Sequence, residues 1–136
     1  MKKLTLFLGF FILMLSCKKT KEKIGTNLIV QAMTNGQWVI TSFNDNGTNK
    51  TADFSAYKFQ FHSDYTVDAI NNNTVEKTGS WNGNTTNQSI TAAFSGATNP
   101  LLLINGTWII TDNSWTYVEA KKTEGADIKT LRLDKL

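Results

Sequence analysis

The sequence contains one cysteine, one histidine and one proline in 136 residues. A single cysteine excludes an intramolecular disulfide, so the fold has to rest on its apolar core. One histidine beside one cysteine leaves no spacing typical of a zinc site. The motifs of serine hydrolases, phosphate-binding loops and zinc proteases are also missing. We therefore expect no metal, no other cofactor and no enzymatic activity.

A long apolar run occurs only at the N-terminus. Lys2 and Lys3 precede the run from Leu4 to Leu15, and Ser16-Cys17 follows it. A basic start, about a dozen apolar residues and a small residue before the cut are typical of a secretory signal peptide. The run is shorter than the roughly 20 residues that a transmembrane helix needs. Residues 1–16 are therefore predicted to be an export signal.

The end of this run resembles a motif of bacterial lipoproteins. Met14-Leu15-Ser16-Cys17 is similar to the lipobox, at which the signal is cleaved and the new N-terminal cysteine is acylated, although Met14 stands where leucine is usual. The resemblance implies acyl chains such as palmitate on Cys17 and a membrane as partner. The other interpretation is a secreted protein with one unpaired thiol, which would be reactive in an oxidising compartment.

The basic charge is concentrated next to this cysteine. The net charge of +3 falls to +1 without Lys2 and Lys3, and to −2 without the four lysines and one glutamate of 18–23. A folded part that is slightly acidic argues against nucleic-acid binding. We interpret 17–26 as a basic tether. In some bacterial groups an acidic stretch directly after the cysteine takes lipoproteins to the cell surface. The segment after Cys17 is basic instead, so we expect an anchor on the periplasmic face of the outer membrane.

The remaining sequence predicts a small β-protein. Thr26 is a candidate N-cap for a short helix over 27–33, which Asn35-Gly36 would end. Side chains alternate in several later runs, as where Tyr57, Phe59 and Phe61 share one face. Such runs predict one antiparallel barrel or sandwich. The eight expected strands are about 37–43, 57–62, 65–70, 74–81, 88–94, 106–111, 115–121 and 128–134.

Polar segments separate these strands. Ser63-Asp64, Asn82-Gly83 and Asp112-Asn113-Ser114 have the composition of tight turns. The connection over 44–56 is longer than most hairpin loops, which have about 2–5 residues. It is interpreted either as a lid over the mouth of a barrel or as a solvated surface loop.

Five short motifs, in this order, resemble lipocalins and the lipocalin-like domains of bacterial lipoproteins. The resemblance covers about 27–136 and implies a closed up-and-down barrel of about eight strands after a short N-terminal helix. It also implies that Arg132, the only arginine, packs over Trp38 as a structural clamp. The motifs are Gly36-Gln37-Trp38, the hairpin over 59–67, Thr78-Gly79-Ser80-Trp81, Asn105-Gly106-Thr107-Trp108 and Leu131-Arg132-Leu133.

The aromatic residues allow several functions. They either fill the barrel as core or line a pocket for one small apolar ligand, since an eight-stranded barrel has room for one. Binding of an envelope partner is a related expectation. The alternatives are a glycan-binding accessory lipoprotein, with Trp115 or Trp81 stacked on a sugar, and less favoured a small hydrolase or isomerase that uses His62. The candidate ligand-lining residues are Phe59, Phe61, Tyr65, Val67, Trp81, Phe94, Trp108 and Tyr117.

Overall fold

The computed structural model describes residues 28–136. The predicted export signal, the lipidation of Cys17 and the tether over 17–26 lie outside the described residues. The described part begins with one α-helix over 28–34 (α1). It continues with strands β1 (Trp38–Asp45), β2 (Thr48–Asn49), β3 (Tyr57–Phe61), β4 (Thr66–Asn71), β5 (Thr74–Asn84), β6 (Ser89–Ala93), β7 (Gly106–Asn113), β8 (Tyr117–Glu124) and β9 (Asp127–Lys135), and with 3₁₀ helices at Thr51–Phe54 and Leu101–Ile104.

The strands form one closed antiparallel barrel. From β3 to β9 each strand pairs with the next along the chain, and β1 pairs with both β3 and β9. The two residues of β2 only extend a hairpin with the end of β1. Eight strands therefore close the sheet, which removes its free edges. The predicted all-β up-and-down barrel of about eight strands with a short N-terminal helix is confirmed.

Two predicted turns differ from the structure. β5 runs through Asn82-Gly83 and ends at Asn84, and β7 continues to Asn113, so that the next turn lies at 114–116. Gly83 has a packing role and no turn role. A Cβ atom built on it would lie only 2.6 Å from Cγ2 of Ile29 in α1. The missing side chain is what lets α1 approach the barrel. The third predicted turn, Ser63-Asp64, is present.

The barrel interior is filled with side chains from alternate positions of every long strand. Trp38, Phe43 and Phe59 are all buried. The central void has a volume of about 30 Å³ and apolar walls. One water molecule occupies about this volume in the liquid. The interior is therefore a packed core.

The connections alternate between two ends of the barrel. The α1 end consists of α1 and the loops 62–65, 85–88 and 114–116, and the opposite end carries the others. α1 is fixed to its end through Met33, whose buried side chain joins the core and whose carbonyl accepts a 2.9 Å hydrogen bond from Nε1 of Trp38.

The long connection over 44–56 closes the opposite end. It contains β2 and the first 3₁₀ helix, and it places Phe54 in the core with its ring centroid 4.8 Å from that of Phe43. Most of the segment is exposed, as the interpretation as a solvated surface loop expects, but Phe54 anchors it in the core and holds it over this end. Leu101 of the second 3₁₀ helix is buried at the same end.

Candidate ligand-binding cleft

Six of the eight residues predicted to line a ligand pocket belong to the buried core, and four of these six surround its central void. Phe59, Phe61, Val67 and Phe94 surround the central void of about 30 Å³. Small-molecule sites have volumes of about 300–1,000 Å³. The prediction that these side chains line a ligand cavity in the barrel is therefore wrong. Large rings fill the space that a ligand would need.

Two more predicted lining residues have structural contacts elsewhere. Trp108 is buried and donates a 2.7 Å hydrogen bond from Nε1 to the carbonyl of Ile104. Tyr117 lies on the outer wall, where the guanidinium of Arg132 is 4.3 Å from its ring centroid. Its hydroxyl donates to Asp112 at 2.9 Å, and this hydrogen bond is the main reason why its pKa is raised. Neither residue reaches a cleft in the described part of the chain.

The remaining two, Tyr65 and Trp81, lie together beside a groove on the outer wall. Their ring centroids are 5.9 Å apart, and Tyr65 is 49% exposed. Trp81 is buried and donates from Nε1 to the carbonyl of His62 at 3.0 Å. The groove has a volume of about 380 Å³, and its other walls are Ser80, Asn82, Thr91 and Ala93.

The predicted clamp between Trp38 and Arg132 is wrong. The cation over the Trp38 ring is Lys135, whose Nζ lies 5.1 Å from the ring centroid. Where β1 pairs with β9 and closes the barrel, Trp38 is opposite Lys135, whereas Arg132 is opposite Ser42. Leu131 is buried, so alternation along β9 sends Arg132 to the outer face. There it forms ion pairs with Glu119 and Asp134.

A second opening, with mostly apolar walls, lies between α1 and the rim of the barrel. It has a volume of about 340 Å³. The helix contributes one wall, the ends of β6, β7 and β8 contribute the floor, and two loops form the edge. We call this site the α1 cleft. Its lining residues are Leu28, Ile29, Ala32, Met33, Thr85, Gln88, Ile90, Ile110, Asn113, Ser114, Trp115 and Val118.

The helix wall of the α1 cleft follows from helical spacing. Leu28, Ile29, Ala32 and Met33 occupy positions that fall on one face of a helix. Met33 is buried and holds one end of that face on the core, while the other three are half-buried. Small Ala32 lies between the larger residues and leaves part of the opening free. The amphipathic pattern of seven residues was too short to predict a ligand wall.

The floor and edge of the α1 cleft differ in polarity. Ile90 and Val118 are buried below it, and Ile110 is half-buried. Gln88, Asn113 and Ser114 are exposed at the edge, and Thr85 is a half-buried polar residue of the lining. None of the lining residues is ionisable. Such a site suits an apolar body whose polar end stays at the edge.

Trp115 marks the outer margin of the α1 cleft. It lies in the loop 114–116 and is 54% exposed, whereas the strand predicted over 115–121 begins only at Tyr117. The loop is held by Ser114, whose backbone N–H donates to the carbonyl of Tyr117 at 2.9 Å. The outward position that the sequence allowed for Trp115 is therefore observed.

The histidine takes part in a polar network on the outer wall. His62 Nε2 lies 2.8 Å from Oδ2 of Asp68, and Thr78 donates to the other oxygen at 2.6 Å. The hydrogen bonds from Thr78 and then from His62 lower the pKa of Asp68. Within residues 28–136, no group of three or more His, Cys, Asp or Glu side chains is placed to hold a metal ion. No helix in this range is long and apolar enough to cross a membrane.

One of three comparisons with known proteins found a similar architecture. No protein-family model matches the sequence, and no curated protein matches it. Among solved structures, the chain is similar to a DUF4847 family protein from Bacteroides vulgatus, with a TM-score of 0.57 and 11% sequence identity. The match covers 78% of this chain and 96% of that chain. At this identity the likeness shows the fold alone. Together with the closed eight-stranded barrel it fits a lipocalin-like fold.

Proposed function

We propose that this chain is a lipoprotein of the bacterial envelope whose barrel binds a small apolar molecule in the α1 cleft. The observation that carries the proposal is the combination of about 340 Å³ of open volume with an apolar floor and no ionisable lining residue. Each methylene group that a ligand buries there contributes about 0.8 kcal/mol. The role is non-enzymatic binding, and no cofactor takes part.

The proposed anchor is close in sequence to the proposed site. Leu28, the first residue of α1, follows Cys17 by eleven positions. A fully extended chain of that length spans at most about 40 Å. An acylated Cys17 would therefore hold the α1 cleft within that distance of a membrane. The lysines of 18–23 add attraction to anionic lipid of about 1 kcal/mol each near the surface.

Ligand binding is tested by filling the α1 cleft from the helix. The full chain is extracted from its native membrane, and the small molecules that co-purify are identified by mass spectrometry. In Ala32→Phe the new ring occupies the cleft, and we expect most of the bound apolar material to be lost. Gln31→Phe places the same ring on an exposed position of α1 and should leave binding unchanged. Equal loss in both variants, or no bound molecule in the parent protein, contradicts the proposal.

The anchor has a separate test. Cys17→Ala should move the protein from the membrane fraction to the soluble or unprocessed pool and remove the mass of the acyl chains. A periplasm-facing anchor also predicts that protease added to intact cells leaves the barrel uncut. An unchanged membrane fraction without a lipid-sized mass rules out the lipoprotein assignment, and rapid cleavage rules out the location.

A carbohydrate ligand is the second candidate, and the groove on the outer wall favours it. The groove offers the exposed ring of Tyr65 together with the uncharged polar groups of Ser80, Asn82 and Thr91. Tyr65 has a φ of +67°, a conformation that costs a tyrosine on the order of 1–3 kcal/mol. A sugar would stack on that ring and bond to the hydroxyl and amide groups. Titration with oligosaccharides should show binding that Tyr65→Ala removes and Tyr117→Ala retains.

A further inference from the structure

Exposed aromatic rings are concentrated at one end of the barrel. Three of the four tryptophans are buried, and the fourth, Trp115, is 54% exposed in a loop of the α1 end. Tyr65 is 49% exposed in another loop of the same end. The opposite end exposes aliphatic side chains, Val75, Leu102 and Ile128. Aromatic rings with a polar edge are enriched where proteins meet the interface of a bilayer.

The chain also enters the barrel at this end. α1 packs across the rim of this end and leads directly into β1. An acylated Cys17, eleven positions before Leu28, would therefore be within reach of the α1 end before any other part of the barrel. The position of the entry point and the position of the exposed rings are independent observations, and both select the same surface.

The charges of the α1 end indicate the kind of surface. Asp64 accepts hydrogen bonds from Thr66, and Asp112 accepts one from Tyr117. Lys135 lies over the ring of Trp38. Among the described residues these groups form no basic patch, so the α1 end itself adds no attraction to anionic lipid beyond that proposed for the lysines of 18–23.

We propose that the α1 end rests on the membrane with Trp115 at the headgroup level, so that the α1 cleft opens toward the lipid and accepts a lipid acyl chain. This inference rests on the proposed function, because it needs both the anchor and the cleft. It adds the orientation of the barrel and the chemical class of the ligand. Since Trp115 forms the margin of the cleft, an acyl chain would pass from the bilayer into the cleft without crossing open water.

The orientation is tested with the acylated full chain in phosphatidylcholine vesicles whose acyl chains carry bromine close to the headgroup. Bromine quenches tryptophan at short range, and Trp115 is the exposed tryptophan. We expect loss of most of the emission that Trp115 contributes, and no such loss in Trp115→Phe. A Leu102→Trp substitution in that variant puts a tryptophan at a 51% exposed position of the opposite end. Its emission should persist. Unquenched Trp115, or equal quenching at position 102, overturns the orientation.

The ligand class is tested on the same sample. The two isotopes of bromine give any bound lipid a paired mass that identifies it. Native mass spectrometry of protein recovered from the vesicles should show a brominated lipid on the parent chain and on Gln31→Phe, and its loss in Ala32→Phe. Absence of brominated lipid from the parent chain overturns the assignment of an acyl chain.

The failures of the two proposals are distinguishable. Before either measurement, the vesicles are floated on a density gradient. A chain that stays behind lacks the anchor, and the proposed function and this inference then fail together. A chain that floats while Trp115 remains unquenched keeps its anchor and loses only the orientation. Circular dichroism of each variant confirms that the barrel is folded.

Discussion

Lys135 at the end of β9 lies over the indole ring of Trp38 at the start of β1, with 5.1 Å between Nζ and the ring centroid. The two residues pair across the seam that closes the barrel. Trp38 is fully buried and also donates a hydrogen bond to Met33 of α1. One indole ring thus joins the first strand, the last strand and the helix that forms the α1 cleft.

The first prediction concerns this seam. Trp38→Ala should lower the free energy of unfolding by about 3–5 kcal/mol, as deletion of a large buried ring does. Lys135→Ala alone should cost about 0.5–1 kcal/mol through the lost cation–π contact. A double-mutant cycle in urea should show coupling of about 0.5 kcal/mol between Trp38 and Lys135. Arg132→Ala serves as the control and should be additive with Trp38→Ala. Coupling to Arg132 and not to Lys135 would contradict the observed pairing.

A second prediction concerns the contact that places α1 on the barrel. Gly83→Ala puts a methyl group 2.6 Å from Cγ2 of Ile29. The collision should cost about 1–3 kcal/mol, as overpacking does, unless α1 moves away. In the Ile29→Ala background the same substitution should be neutral or stabilising, because glycine weakens a strand. Thermal unfolding of the four proteins measures this reversal. If Gly83→Ala lowers stability as much in the Ile29→Ala background as in the parent protein, the loss comes from the backbone of β5 and not from the collision with Ile29.

The strands were predictable because alternation is a local property of the sequence. Tyr57, Phe59 and Phe61 point inward in β3 as their spacing indicates, and all eight predicted strands of the barrel are present. The same rule predicts which basic residue faces Trp38. Leu131 and Leu133 share a face of β9, so Lys135 belongs to that face and Arg132 to the other. The resemblance to lipocalins pointed to the arginine, and strand periodicity points to the lysine.

The α1 cleft was not predictable from the sequence in the same way. Its walls come from α1, the floor strands and two loops, and they meet only because α1 packs across the rim. Gly83 looked like a turn residue beside Asn82, since a glycine that makes room for another element has no local signature. Whether large rings fill a barrel or line it depends on the summed volume of the core, which periodicity does not contain.

A third prediction concerns a buried lysine at the opposite end. Lys122 points into the barrel, where its Nζ donates to the carbonyl of Asn105 at 2.5 Å and lies 5.2 Å from the Trp108 ring centroid. It thereby fixes the end of the second 3₁₀ helix. Lys122→Met keeps the side-chain length but leaves that carbonyl without its donor, which should cost about 1–3 kcal/mol. Lys121→Met, at the exposed neighbouring position, should change the free energy of unfolding by less than about 0.5 kcal/mol. Equal effects in urea unfolding would mean that Lys122 has no such role.

The last prediction concerns Tyr57 and alkaline pH. Burial, followed by the 2.8 Å hydrogen bond that its hydroxyl donates to Glu76, raises the pKa of Tyr57 from 10.0 to about 12. Because the raised pKa favours the protonated phenol in the folded state, its contribution to stability is complete below the unfolded pKa. That contribution is lost as the pH rises from about 10 to about 12.

The difference in unfolding free energy between the parent protein and Tyr57→Phe should therefore be constant below about pH 10 and shrink above it. Absorbance of the phenolate should show that Tyr57→Phe lacks an ionisation near pH 12. Glu76→Gln removes the charge that accepts the hydrogen bond, so the same ionisation should move to lower pH in that variant and remain above the value for a free tyrosine because burial persists. If the ionisation that is missing from Tyr57→Phe lies near pH 10 and not near pH 12, then burial and Glu76 do not raise the pKa of Tyr57.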